Sequence, residues 1–149
     1  VVESDSGFRG LLQNGFRRAG YDVLIAANAQ HGMRIAALHW PDAALIEVQV
    51  PGLAGLELFE SLRSYSTRSG GGTFPAWMMV RDTTPELTSR GLGAGAVGII
   101  NKPFSPAEIV SIVGTHFSTA ESPAPLLRAR KSLADNVRSR LSGTDSRRR

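Results

Sequence analysis

Four short stretches of this chain hold the side chains that could do chemistry together. They are Glu3-Ser4-Asp5, Glu47-Val48-Gln49, Val80-Arg81-Asp82 and Asn101-Lys102-Pro103. Of the four carboxylates in these stretches, Glu3, Asp5 and Glu47 allow two elementary outcomes beside the one lysine. Glu47 and Lys102 can close an ion pair in a half-buried pocket, since a buried acid needs a partner. Alternatively, Glu3, Asp5 and Glu47, with the Gln49 amide, offer oxygen donors to a divalent cation. Glu3 and Asp5 also stand just before a helical pattern, where the helix dipole favours acids with no ligand at all. Other chemistries are absent from the pattern. There is no cysteine, and His31, His39 and His116 share no spacing. The run Gly70-Gly71-Gly72 lacks the following Lys-Ser/Thr and helix start of a phosphate loop.

For these stretches to meet, the elements between them must alternate. Phe8, Leu11, Leu12, Phe16 and Ala19 recur at helical spacing after the capping candidates Ser4 and Ser6, and Ala19-Gly20 supplies a stop. Tyr21 to Ala26 is a short β-prone run, and Ala29 to Leu38 a helix with Met33, Ala36, Ala37 and Leu38 inward. Trp40-Pro41 ends that helix. Ala43 to Val48 reads as a buried strand, Leu56, Phe59, Leu62 and Arg63 as a helix stripe, and Ser66 to Thr73 as a loop. Ala76 to Val80 is a fourth strand, Pro85 opens a helix closing near Gly91 to Gly95, and Val97 to Asn101 is a fifth strand. Ser105-Pro106-Ala107-Glu108 is a capping box opening a fifth helix. The chain opens directly on the apolar pair Val1-Val2, without an initiator Met, and residues upstream are expected. The expectation is α/β: a doubly wound five-stranded parallel sheet with five helices and a further C-terminal basic helix. In such sheets ligands gather beyond the carboxyl ends of the strands, where the four stretches fall.

The spacing Pro41-Asp42, Ile46-Glu47, Pro51-Gly52-Leu53-Ala54-Gly55, Glu57-Leu58, then Ala94-Gly95-Ala96 and Lys102-Pro103-Phe104, resembles the CheY-like receiver domain of bacterial response regulators over residues 1–117. The resemblance implies the flavodoxin-like receiver fold and a place in two-component signalling or a phosphorelay. It also implies a set of roles. Two acids after the first strand and an aspartate after the third hold Mg²⁺ while the aspartate accepts a phosphoryl group; a hydroxyl after the fourth strand and a lysine after the fifth bind its oxygens. Here the acid pair falls on Glu3 and Ser4, with Asp5 one residue further. The acceptor falls on Glu47, the hydroxyl on Val80 and the switch aromatic on Ile99; Lys102 alone is kept. Thr83 and Thr84 would serve only after a register shift. Lengthening the acceptor by a methylene misplaces the carboxylate by about 1 Å, an error that can cost ~100-fold in rate. The expectation is therefore a degenerate pseudo-receiver: no enzyme, no required cofactor, a weakened Mg²⁺ site, and function by protein–protein contact. The resemblance also implies a cis Lys102-Pro103 bond. It further implies a contact or homodimer face on the fourth helix, fifth strand and fifth helix, with Leu87, Leu92, Ile99, Ile109 and Ile112 as candidates. A sharper alternative makes Glu47 a phosphomimic in a constitutively active-like regulator.

The charge divides the chain. Residues 1–117 carry nine Lys/Arg against ten Asp/Glu, and residues 118–149 eight against three, so the net +4 belongs to the tail. After a Pro/Ser linker at 118–125, Leu126, Leu127, Leu133, Ala134, Val137 and Leu141 fall on one side of a helical pattern, and Arg128, Lys131, Arg138 and Arg140 around the rest. Residues 126–149 are expected as a basic amphipathic helix and frayed end that docks on its own domain, pairs with a second copy or binds a partner, unless it is disordered; anchoring the chain in a larger assembly is a further alternative. Nucleic acid ranks behind a protein partner because no aromatic residue follows Phe117 to stack on bases, and anionic lipid ranks third. No apolar run approaches the ~20 residues of a membrane span, and a cytoplasmic chain is expected.

Overall fold

The computed structural model describes residues 1–49, 55–68 and 74–119. The helices are α1 (Ser6–Arg18), α2 (Ala29–His39), α3 (Gly55–Arg68), α4 (Pro85–Gly93) and α5 (Pro106–Thr119); the strands are β1 (Ala44–Glu47), β2 (Ala76–Val80) and β3 (Gly98–Asn101). All pairing is parallel, in the order β1-β2-β3, with Ala44 opposite Ala76 and Trp77 opposite Gly98. Two further segments extend the sheet beyond β1. Val2 bridges Ile46 on one side and Ala26 on the other, through Val2 N–H to Leu45 O at 2.8 Å and Glu3 N–H to Ala26 O at 3.0 Å. The five expected strand segments are thus all present in the doubly wound order, but Val1-Val2 and Tyr21 to Ala26 are shortened to one bridged residue each, Val2 and Ala26.

Alternation along the strands sends side chains to two cores. Leu45, Trp77, Met79 and Ile100 pack with Leu12 and Phe16 of α1 and Ile109 and Val113 of α5. Ile46, Ala76 and Met78 pack on the other face with Ala29 and Ala36 of α2 and Leu56, Phe59 and Leu62 of α3. Each fully buried Leu, Ile or Met contributes about 1.5–3 kcal/mol. By contact the chain divides into Val1–Gly114 and Thr115–Arg149, and α5 begins in the first unit and ends in the second. In the second, the His116 and Phe117 rings meet edge-on.

Several local expectations are corrected. The N-cap of α1 is Asp5, whose carboxylate accepts the Phe8 N–H at 2.7 Å, rather than Ser4 or Ser6. Leu11 and Leu38 belong to the outer faces of their helices, Leu38 being 74% exposed; on α2, Ala29, Gly32 and Ala36 are the buried residues. Helix α3 runs to Arg68, into the stretch expected as loop, and α5 continues through Ser118 and Thr119, where the linker was expected. The remaining linker, the tail, Pro51 to Ala54 and Gly70 to Gly72 lie outside the described residues.

Two glycines have backbone reasons. Gly55 starts α3 against the end of β1, its N–H donating to Val48 O at 2.7 Å, and any Cβ there would strike the Glu47 carbonyl and Val48 backbone. Gly95 turns at φ 94°, a conformation costly for other residues, and the Arg63 guanidinium fills the space a Cβ would need while donating to Ala94 O at 2.6 Å. The capping box is formed: the Ser105 N–H donates to Glu108 and the Glu108 N–H to the Ser105 hydroxyl. The Lys102-Pro103 bond is cis.

Candidate functional site

Because the strands are parallel, their carboxyl ends deliver Glu3, Glu47, Val80 and Lys102 to one edge of the sheet. Glu3 follows the bridge at Val2, Glu47 is the last residue of β1, Val80 ends β2, and Lys102 follows β3 with its N–H bonded to Val80 O at 2.7 Å. Glu3 is fully buried and Glu47 is 3% exposed.

The centre of the site is the Lys102 ammonium. It lies 2.6 Å from Glu3 Oε2 and 2.7 Å from Glu47 Oε1, so one cation serves two buried carboxylates. It also stands over the Phe8 ring at 4.9 Å, a cation–π contact, and Phe8 in turn packs on Phe104. The remaining carboxylate oxygens are taken by neighbours. Glu47 Oε2 accepts the Ser4 N–H at 3.0 Å and the Ser4 hydroxyl at 2.6 Å, and Glu3 Oε1 accepts the Asp5 N–H at 3.1 Å. Arg9 fixes the loop that makes these bonds, donating to Glu3 O at 2.7 Å and Ser4 O at 3.1 Å. Among the described residues, no buried side-chain nitrogen or oxygen lacks a partner.

The two acids titrate apart. Burial alone would raise the Glu47 carboxyl, but hydrogen bonds from Lys102 and Ser4 outweigh it and hold it at about 2. Glu3 moves the other way: burial raises it, against the pull of Lys102 and the Asp5 amide and with added repulsion from Glu47.

Beside Glu47 is a pocket lined by Val48, Gln49, Val80, Arg81, Asp82 and Leu87. Val80 is buried and presents only an aliphatic side chain. The nearby hydroxyls are engaged elsewhere: Thr83 bonds the Asn101 side chain, and Thr84 caps α4 by accepting the Leu87 N–H at 3.1 Å. Ile99 packs partly into the core against α4, where Gly91 leaves room for its Cδ1.

Residues 1–114 match the model of the response regulator receiver domain. The chain belongs to that family. Among curated relatives of this receiver, the alkaline phosphatase synthesis transcriptional regulatory protein PhoP of Bacillus subtilis is 30% identical over 125 residues, covering 84% of this chain and 50% of PhoP. The transcriptional activator protein PfeR of Pseudomonas aeruginosa is 33% identical over 109 residues, covering 73% of this chain and 34% of PfeR. The chain thus spans half or less of the length of these relatives. Among solved structures, a CheY-like receiver domain protein from Methanospirillum hungatei superposes with a TM-score of 0.70 at 25% identity, covering 78% of this chain and 90% of that one. The chemotaxis protein CheY4 of Vibrio cholerae superposes at 0.69 with 24% identity, covering 76% and 92%.

Receivers hold Mg²⁺ with acids at this sheet edge, and the corresponding places here carry Glu3, Ser4 and Glu47. Magnesium asks for near-octahedral oxygens at about 2.0–2.1 Å. The two inner carboxylates are instead bridged by an ammonium, the neighbouring position holds Ser4, the Asp5 carboxylate caps α1, and Gln49 is exposed. Among the described residues no group of three acidic, histidine or cysteine side chains is placed to hold a metal.

Of the expected interaction residues, Ile109 is corrected: it is fully buried between α1 and the sheet and offers nothing to a partner. Leu92 and Ile112 are exposed, Leu87 is half-buried beside the pocket, and Ile99 faces the core. Val97, exposed just before β3, escaped the sequence reading, as did the Arg9 clamp and the Lys102–Glu3 bond. An arginine one turn into a helix that follows an acidic loop was the available signal for Arg9. No described helix is long and apolar enough to cross a membrane.

Proposed function

We propose that this receiver is a signalling module that works by protein–protein contact without phosphoryl transfer, a pseudo-receiver. The observation that carries this reading is Glu47 itself. It stands at the acceptor position with one oxygen held by Lys102 and the other held twice by Ser4, beside a valine that cannot donate to a phosphoryl oxygen. Attack on a phosphodonor would require breaking those bonds in a buried site. The pocket therefore needs no cofactor in this reading. The contact surface is the α4, β3 and α5 side, where Leu92, Val97 and Ile112 are exposed, and it serves a partner protein or a second copy of the chain. Incubation with acetyl phosphate and Mg²⁺ followed by intact mass is the test. The expected spectrum shows no added phosphoryl mass, and stoichiometric modification of Glu47 would overturn the reading.

One observation favours a second reading. The Lys102–Glu47 bond at 2.7 Å is the contact a phosphoryl oxygen would make with this lysine, so Glu47 acts as a phosphomimic that holds an active-like form. PhoP and PfeR are transcriptional regulators by description, and in this second reading nucleic acid is the partner, reached through the basic tail with Arg128 and Arg138. Binding that falls steeply with salt supports it, and no binding at low salt removes it. A third role, as a structural subunit anchored by residues 126–149, predicts loss of assembly when those residues are deleted.

A further inference from the structure

We infer that Lys102 is the pocket's built-in cation and that Ser4 and Glu47 form a matched pair, so that while Lys102 is in place a divalent cation binds only when both positions are changed together. This deepens the pseudo-receiver reading and rests on it. The geometry is specific. The ammonium lies between two carboxylates at 2.6 and 2.7 Å, the place where their negative charges converge. Ser4 then spends both its N–H and its hydroxyl on the one oxygen of Glu47 that Lys102 leaves over.

Changing either partner alone breaks this arrangement without building a new one. Ser4→Asp places a third carboxylate against Glu47 Oε2 where a hydroxyl donor stood, and like charges at hydrogen-bond distance in a buried site repel. Glu47→Asp withdraws the carboxylate from Ser4 and Lys102 but leaves Ser4 with no charge to give an ion. Only the double change supplies two carboxylates from the loop after Val2 and a shorter one from β1.

The test titrates the full chain and the Ser4→Asp, Glu47→Asp and Ser4→Asp/Glu47→Asp variants with Mg²⁺ and with Mn²⁺ by calorimetry. The expected result is no saturable heat for the wild type, and an affinity in the double variant at least ~10-fold above either single one, the scale on which metal sites respond to their supporting residues. Saturable Mg²⁺ binding by the wild type, a folded double variant that binds neither ion, or a single variant that equals the double would overturn the inference. If circular dichroism shows the double variant unfolded, Lys102→Met decides. Removing the ammonium leaves two buried glutamates without a cation, and Mn²⁺ is expected to raise the Tm of this variant while leaving the wild type unmoved. An unresponsive Lys102→Met would sink the inference equally. Ion titration without phosphodonor reads only the cation, so its failure is separate from any phosphoryl adduct that would defeat the functional reading.

Discussion

The amide and the hydroxyl of Ser4 donate to a single oxygen of Glu47, at 3.0 and 2.6 Å, across a sequence separation of 43 residues. Hydrogen bonds to a buried charge are worth about 1.5–3 kcal/mol each. Ser4→Ala keeps the amide bond and loses the hydroxyl, so it should lower stability toward urea by an amount in that range and move the Glu47 carboxyl upward. Chemical denaturation checks the first effect and side-chain carboxyl NMR the second. A neutral Ser4→Ala would mean that the hydroxyl is exchanging with solvent.

The opposite shifts of the two glutamates set the shape of the pH–stability curve. Glu47 titrates at about 2 in the fold against an ordinary 4.5, so the folded state binds fewer protons between those values. The stability that Glu47 contributes is present above 4.5 and is lost as pH falls toward 2. Glu3 is raised, so the fold binds more protons than the unfolded chain between its raised value and 4.5, and its contribution grows as pH falls through that interval. Thermal melts should therefore show a shallow rise on mild acidification followed by a steep loss below 4.5. Glu47→Gln should remove most of the steep limb, and Glu3→Gln the shallow rise.

Lys102 answers for two buried acids, so its loss should be costly and non-additive. Breaking a buried pair by removing one partner typically costs about 3–5 kcal/mol. Lys102→Met should reach that range in urea unfolding. Adding Glu47→Gln should then recover part of the loss, since an unpaired charge is replaced by a neutral amide. A double-mutant cycle with no coupling between Lys102 and Glu47 would contradict the 2.7 Å contact.

The elements around this cluster were legible where periodicity was unambiguous. Ala76 to Val80 is an uninterrupted apolar run, it is buried at every position, and it is the central strand of the three. Pro85, Pro106 and Gly95 marked helix boundaries by their own backbone limits. What escaped was decided by tertiary neighbours. Ser4, Asp5 and Ser6 are three consecutive capping residues, and only the bridge at Val2, which fixes where the chain leaves the sheet, selects Asp5. Leu38 looks inward by composition but sits past the stripe that Ala29, Gly32 and Ala36 press on the sheet. Lys102 could be paired with Glu47 by analogy, but its bond to Glu3 spans 99 residues, and no local pattern records it.

Burial separates the residues of the expected contact surface into those that can bind and those that support. Ile109 is fully buried, whereas Leu92 is 48% and Ile112 is 42% exposed. Ile109→Ala should destabilise the fold by about 2–5 kcal/mol. Leu92→Lys and Ile112→Lys should stay within about 0.5 kcal/mol of the wild type, as exposed positions usually do. If this side carries the proposed contact, the two lysine variants should weaken self-association in sedimentation or capture of the partner, with melting unchanged. Lysine variants that associate as the wild type does would move the contact elsewhere.

Asp5 separates the capping role from an ionic one. Its carboxylate accepts the Phe8 N–H at 2.7 Å, and Phe8 carries the ring beneath the Lys102 ammonium, so the cap helps place one wall of the site. Asparagine caps a helix about as well as aspartate, while alanine at such a position costs about 0.5–2 kcal/mol. Asp5→Asn should therefore melt close to the wild type and Asp5→Ala should melt lower, with neither changing the response to Mg²⁺. If the carboxylate were instead an ion ligand, Asp5→Asn would weaken Mg²⁺ binding as much as Asp5→Ala does. Thermal melts of the two variants with and without Mg²⁺ decide between these roles, because charge and capping capacity are lost together in alanine and apart in asparagine.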